Sequence, residues 1–264
     1  MITIIFGLPR SGKTCLMTHL LNEICFDLER YAKMCAEIAN LNNNGFDLSF
    51  PKHCCFSNYN ILYRKFGYTR RKGYFINPFC LGYSNKNVET LFLPSYSAIG
   101  ISEAQKYLNS RMSKNFPDWQ SRWYEQHGHN NLDIFLDVQR PNLIDINIRE
   151  LSNFIEIISL DKKKDIYGNV RKLIWNIRRF GSSAELDQYF ASGKTKFFTA
   201  DKIVANYNVF KLYDSQNCKP KFYDGHFDND FNFKPFLSVE QNKDSYMEYL
   251  KKNDDEQPDR FYLK

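Results

Sequence analysis

The stretch "GLPRSGKT", residues 7–14, places an ammonium, a hydroxyl and two glycines where they can hold a phosphate chain. The pattern is G-x-x-x-x-G-K-T in full. Its glycines let backbone N–H groups converge on a β-phosphate, its lysine spans the β- and γ-phosphates, and its threonine hydroxyl binds Mg²⁺. The residues expected at the nucleotide are Gly7, Pro9, Arg10, Ser11, Gly12, Lys13, Thr14 and Cys15. The partial positive charge of a following helix would add to the cradle. A coincidental GKT in an ordinary strand–turn–helix is the alternative, and position and context both weigh against it.

Hydrolysis on such a cradle needs an acidic pair at the end of another buried strand. One carboxylate holds the Mg²⁺ water shell and the next polarises the attacking water. In "AIGISEAQ", residues 98–105, Glu103 stands in the catalytic position and Ser102 in that of the Mg²⁺-shell carboxylate. A hydroxyl can hold a water but supplies no charge. In "DVQRP", Gln139 either touches the γ-phosphate or attacking water, or caps the turn before Pro141. Asp137 either supplies the carboxylate that Ser102 lacks or is a solvated strand end. The expected metal set is therefore Thr14, Ser102 and Asp137 around Mg²⁺, with ATP as the nucleotide.

These groups must be positioned by strands and helices. "ITIIF" at 2–6 reads as a buried strand, and apolar residues at helical spacing predict one long helix from about Lys13 to Asn40. Further strands are expected at 53–58, 96–102, 131–139 and 154–161, with helices from Glu103, from Asp118 to about Gln126, and from Pro141. This alternation predicts an α/β fold with a mainly parallel central sheet covered by helices. "NVRKLIWNIRRF" at 169–180 reads as an exposed strand, and 204–215 as a short helix leading into a strand. The expected division is a core at 1–160, an extension of the same domain at 161–215 and a polar tail at 216–264.

The 264 residues, 43% of them hydrophobic, suffice for a sizeable core. A net charge of +6 permits an acidic partner without demanding one. Seven cysteines without a C-x-x-C pair fit a reducing compartment better than a disulfide scaffold. No apolar run reaches the length of a membrane span. Residues 60–90 read as an insertion. Within it, "YRKFGYTRRKGYF" at 63–75 interleaves basic and aromatic residues, a combination that suits single-stranded nucleic acid. A hairpin with its aromatics packed on the domain is the alternative.

Together, "GLPRSGKT", "FSN", "ISEAQ", "EQHGHNNLDIFLDVQRPNLIDINIREL" and "VFKLYDS" resemble the zonula occludens toxin family, which includes the assembly ATPases of filamentous phages. The resemblance implies a RecA-like P-loop ATPase with sheet order 5-1-4-3-2. It implies a homo-oligomeric ring completed by an arginine from the next subunit, with Arg149 of "NIREL" first and Arg140 and Arg111 behind it. It also implies a motor for virion morphogenesis that assembles or exports phage DNA, with a membrane or capsid protein as partner. The expected location is the host cytoplasm, the inner face of the cell membrane or the virion. Genome packaging into a non-tailed capsid and a weakly hydrolysing nucleotide-binding scaffold are the alternative functions. The family shows Ile-Asp-Glu where this chain has Ile101, Ser102 and Glu103, and it usually carries a membrane helix after the ATPase domain.

Overall fold

Ile2, Ile4, Ile5 and Phe6 are buried, and β1 (Ile2–Gly7) runs through the middle of the molecule with parallel neighbours on both sides. The computed structural model describes residues 1–45, 48, 50–65, 71–76, 78, 81, 93–110, 118–206, 209, 212 and 213. β1 lies between β7 (Asp133–Val138) and β8 (Ser152–Lys164). Next to β7 come β6 (Ala98–Ile101) and then β2 (Cys55–Ser57), all parallel. Numbered along the chain as the sequence has them, these strands stand fifth, first, fourth, third, second. Such a sheet aligns the C-terminal strand ends along one edge, where α/β proteins bind ligands.

The single long helix expected from Lys13 is two. α1 (Lys13–Cys25) stops because the Phe26 N–H turns back to the Glu23 carbonyl and the Asp27 N–H to that of Ile24. Asp27 then starts α2 (Leu28–Asn43) by accepting a hydrogen bond from Arg30 N–H. Periodicity misses the break, because Phe26 is itself buried and the apolar stripe continues across it. α1 packs on the sheet face that carries Gly100, where an added Cβ would lie 2.5 Å from Leu21 Cδ1. Arg30 of α2 reaches the N-terminal edge of the sheet, bonding Asp133 Oδ2 and the Tyr96 and Ser97 carbonyls.

Beyond β8 the sheet turns antiparallel through β9 (Val170–Phe180) and β10 (Thr199–Asn206). β9 is half-buried rather than exposed: Leu173, Trp175 and Ile177 alternate inward between its basic residues. β8 runs unbroken past residue 160. Of the short helix and strand expected over 204–215, residues 204–206 extend β10 and most of the rest lie outside the described residues; a helix the pattern does not announce, α5 (Ser183–Ser192), precedes β10. Ser182 caps α5 by accepting from Glu185 N–H. Phe190 of α5 meets Phe6 with ring centroids 6.3 Å apart, on the sheet face opposite α1.

The helix expected after Glu103 is a 3₁₀ turn, 104–106, and the one expected from Pro141 is a 3₁₀ turn, 141–143, followed by a short α-helix at 146–150. α3 (Asp118–Glu125) and α4 (Ile146–Glu150) lie in the connections flanking β7.

In the insertion, β3 (Leu62–Tyr63) pairs antiparallel with β4 (Arg71–Lys72), and β5 (Tyr74–Phe75) adds a parallel edge to β2. Tyr63 and Tyr74 are buried, and Arg71 donates to the Cys25 carbonyl and lies over the Phe26 ring. These three pack on the domain instead of offering themselves to nucleic acid. Phe66, Gly67, Tyr68 and Arg70 lie outside the described residues.

The break between the helices gives a direct test. Asp27→Ala removes the α2 cap and lowers unfolding free energy by about 1 kcal/mol. Urea denaturation measures this, and an unchanged midpoint would mean that α2 is held by packing alone.

Candidate functional site

Buried β-branched residues deliver the chain to Gly7, the last residue of β1, and the loop of residues 8–12 turns it into α1. Gly12 has φ +85°, and a Cβ there would come within 2.8 Å of Leu160 Cδ2 and 3.1 Å of Trp175 Nε1. Gly7 has φ +150°, and its Cβ would lie 2.9 Å from the Ile157 carbonyl oxygen. Only glycine fits this path. No side chain caps the N-terminus of α1, and its first turn holds no acidic residue. The Ser11 hydroxyl is buried in the loop without a hydrogen-bond partner. An uncapped helix start, an orphaned hydroxyl and a cradle that any Cβ would fill together fit an anionic phosphate group.

The strand ends beside this loop carry the remaining chemistry. Asp137, near the end of β7, is 3% exposed. Its Oδ2 accepts from Thr14 Oγ1 at 2.7 Å and from Ser102 Oγ at 3.0 Å, and its Oδ1 accepts from Glu103 N–H at 2.8 Å. Thr14, Ser102 and Asp137, the three residues named for Mg²⁺, thus meet on one carboxylate. Of the two readings of Asp137, the solvated strand end is excluded by its burial. Two hydroxyls and a carboxylate suit a hard cation that keeps several of its waters. Burial raises the Asp137 pKa above its ordinary 3.8, opposed by the bonds from Thr14, Glu103 and Ser102 and by the Lys13 charge.

Lys13 Nζ donates to the Gly7 and Leu8 carbonyls at 3.1 and 2.9 Å. Burial lowers its pKa, and the charges of Asp137 and Glu103 raise it in part. Glu103 has φ +51°, a left-handed conformation uncommon outside glycine, which turns its N–H toward Asp137. Its half-exposed carboxylate pairs with Lys106. Gln139 is exposed just past the end of β7, with Arg140 beside it. Arg10 is exposed in the loop, and the buried Cys15 thiol is pushed up to about 12 by burial, which makes it a packing group.

Arg149 stands elsewhere. α4 ends at Glu150, and Ser152 pairs with Ile2 at the start of β1, so Arg149 sits at the opposite edge of the sheet. The six residues of β1 separate it from the loop by roughly 20 Å at about 3.3 Å per residue. The chain does not bring Arg149 to its own site. Arg111 lies outside the described residues.

Two residues without an assigned role in the sequence support the site. Asn58, just after β2, clamps Ser102 through both backbone groups: Nδ2 donates to the Ser102 carbonyl at 3.0 Å and Oδ1 accepts its N–H at 2.7 Å. The asparagine ending "FSN" was the available signal. Trp175 of β9 donates from Nε1 to the Gly12 carbonyl at 3.3 Å and stacks on His19. Nothing in the sequence links residue 175 to residue 12.

The raised Asp137 pKa fixes a pH dependence. Between 3.8 and the higher folded value, the folded state keeps a proton that the unfolded chain has released, so stability falls as pH rises through that window. Asp137→Asn keeps the shape and removes the charge. In urea unfolding without divalent cations, the stability of the variant relative to wild type should therefore increase from below pH 3.8 to neutrality. A difference independent of pH would show that no buried charge is being relieved.

Residues 95–218 match the family model Zonular occludens toxin (Zot). No curated protein sequence gives a significant match. Among solved structures, the N-terminal domain of zonular occludens toxin from Neisseria meningitidis is 19% identical, covering 81% of this chain and 98% of its own, with a TM-score of 0.44. The genome packaging NTPase B204 from Sulfolobus turreted icosahedral virus 2, in complex with ATP-gammaS, is 11% identical over 69% of this chain and 93% of its own, with a TM-score of 0.35. The DNA-packaging ATPase B204 from Sulfolobus turreted icosahedral virus is 15% identical over 63% and 78%, with a TM-score of 0.31. The resemblance to the zonular occludens toxin family read from the sequence thus holds over the segment that carries Ser102, Glu103, Asp137 and Gln139.

Proposed function

We propose that the chain is a phage-encoded ATPase motor that couples ATP hydrolysis to virion morphogenesis, assembling or exporting phage DNA. The observation that carries this reading is the convergence of Thr14, Ser102 and Glu103 N–H on buried Asp137 beside a complete phosphate loop. Loop N–H groups and Lys13 hold the phosphates, and Lys13 leaves its two carbonyl partners to do so. Thr14, Asp137 and Ser102 would hold Mg²⁺, which would supply charge neutralisation at the phosphates. The Glu103 carboxylate orients the attacking water at the mouth of the site, and exposed Gln139 approaches the γ-phosphate from β7. Asp137 provides the negative charge that Ser102 lacks, which speaks against a scaffold that scarcely hydrolyses.

In a homo-oligomeric ring, Arg149 serves the site of the neighbouring subunit, since it is remote from its own. Among the described residues no helix is long and apolar enough to cross a membrane. Packaging of a genome into a non-tailed capsid would use the same site. Cross-linking in infected cells separates the two tasks by the partner recovered, an inner-membrane assembly protein or a capsid protein.

The deciding experiment is ATP turnover. Lys13→Ala should lower it by a factor of about 10²–10³ while the protein stays folded, as loss of a charge-stabilising group does. Unchanged turnover in a folded variant would overturn the ATPase reading. Ser102→Asp offers a second check. It sets two carboxylates side by side, because the Ser102 hydroxyl now lies 3.0 Å from Asp137 Oδ2. The variant should lose stability without Mg²⁺ and recover it on titration with the ion, measured by thermal unfolding. An Mg²⁺ response equal to that of wild type would place the cation away from Ser102.

A further inference from the structure

Far from the phosphate loop, at the other end of α1, a second group of side chains has no role in hydrolysis. Cys25 closes α1, His53 and Cys55 stand at the start of β2, and one ligand atom from each lies within 4.8 Å of the other two. All three residues are buried. The Cys55 thiol is in hydrogen-bond contact with those of Cys25 and Cys54. At about 1.5 Å per residue, the thirteen residues of α1 put this cluster roughly 20 Å from Lys13.

We propose that Cys25, Cys55 and His53 form a structural zinc site, with Cys54 the candidate for the fourth position. With Cys54, three thiolates and an imidazole make up the donor set of a closed Zn²⁺ site. The histidine is already set for it. Nε2 lies 2.9 Å from the Lys72 carbonyl, which can only accept, so Nε2 carries the proton and Nδ1 keeps a lone pair, directed at the Cys55 N–H. Metal-bound histidines are oriented by the same kind of N–H to carbonyl bond. The His53 ring is held between Tyr63 and Tyr74, with centroids 5.2 and 4.4 Å away. The contacts a cation displaces are a 3.2 Å bond from Cys55 N–H to Nδ1 and the thiol bond from Cys55 to the Leu21 carbonyl.

Tyr63 points to the same place independently. Its hydroxyl is buried with no hydrogen-bond partner, and Cys55, Cys25, Tyr59 and Cys54 are the ionisable groups around it. A buried hydroxyl without a partner is costly. On binding, each coordinating thiol releases its proton to solvent and becomes a thiolate. A thiolate is the acceptor that Tyr63 lacks. The thiolates also offset the charge of the dication, which reduces the cost of burying it. The bound ion would tie the C-terminus of α1 to β2 and, through Tyr63 and Lys72, to the β3–β4 hairpin.

The test uses the full chain, untagged, produced in zinc-supplemented medium. About one zinc per chain should survive desalting, measured by mass spectrometry of the metal. Removal under a chelator and replacement by Co²⁺ should give a thiolate-to-cobalt charge-transfer band, which an oxygen site such as that at Asp137 cannot produce. Cys55→Ser and His53→Gln should abolish zinc retention, whereas Cys35→Ser, a thiol of α2 outside the cluster, should not. If the buried variants fail to fold, wild type alone decides. Metal-free wild type should gain thermal stability with Zn²⁺ together with the cobalt band. Folded wild type that holds no zinc and shows no band overturns the site, leaving the cysteines as packing groups.

Discussion

One buried carboxylate organises the sheet edge that carries the phosphate loop. Asp137 draws together the start of α1, the end of β6 and the turn after it, through Thr14, Ser102 and the Glu103 N–H. Each bond alone is modest, of order 1–3 kcal/mol when the acceptor is charged. Their joint effect is geometric, since they fix the ends of β6 and β7 relative to the start of α1 and the phosphate loop. The left-handed backbone at Glu103 is held by the same carboxylate, with Asn58 fixing Ser102 from the other side. Burial raises the Asp137 pKa, so without a cation beside it the ionised carboxylate opposes folding.

The sequence made the fold core legible because its signals were local. Gly7 to Thr14 announce strand, turn and helix within a few residues, and the alternation of elements leads to a mainly parallel sheet. The candidate metal residues were also legible as positions. What spacing could not give was burial: Asp137 reads equally as a solvated strand end until β1 and β6 close around it. The same limit explains the joined helices, since Phe26 continues the apolar stripe while its backbone leaves the helix. α5 leaves no periodic apolar signal because Leu186 is its one buried residue.

The cysteine cluster shows a different kind of illegibility. Metal motifs are recognised when ligands are close in sequence, as in C-x-x-C pairs. Cys25 and Cys55 are separated by a helix and a connection, and meet only because α1 packs across β2 and β6. The basic and aromatic segment at 63–75 was ambiguous for the converse reason. Its composition suits a nucleic-acid surface, yet Tyr63, Arg71 and Tyr74 are consumed by contacts with the domain.

The roof over the phosphate loop has a mechanical consequence. Leu160 and Trp175 belong to neighbouring strands of one long hairpin, and both rest on Gly12. The hairpin continues past them to a turn held by Asp165, where Ile166 is 91% exposed. From Leu160 to that turn the strand extends about 17 Å, at about 3.3 Å per residue. The paired strands thus tie the roof of the loop to an exposed apolar tip, Ile166 and Tyr167, through one continuous ladder, so the packing that presses on Gly12 is anchored along the whole length of the hairpin.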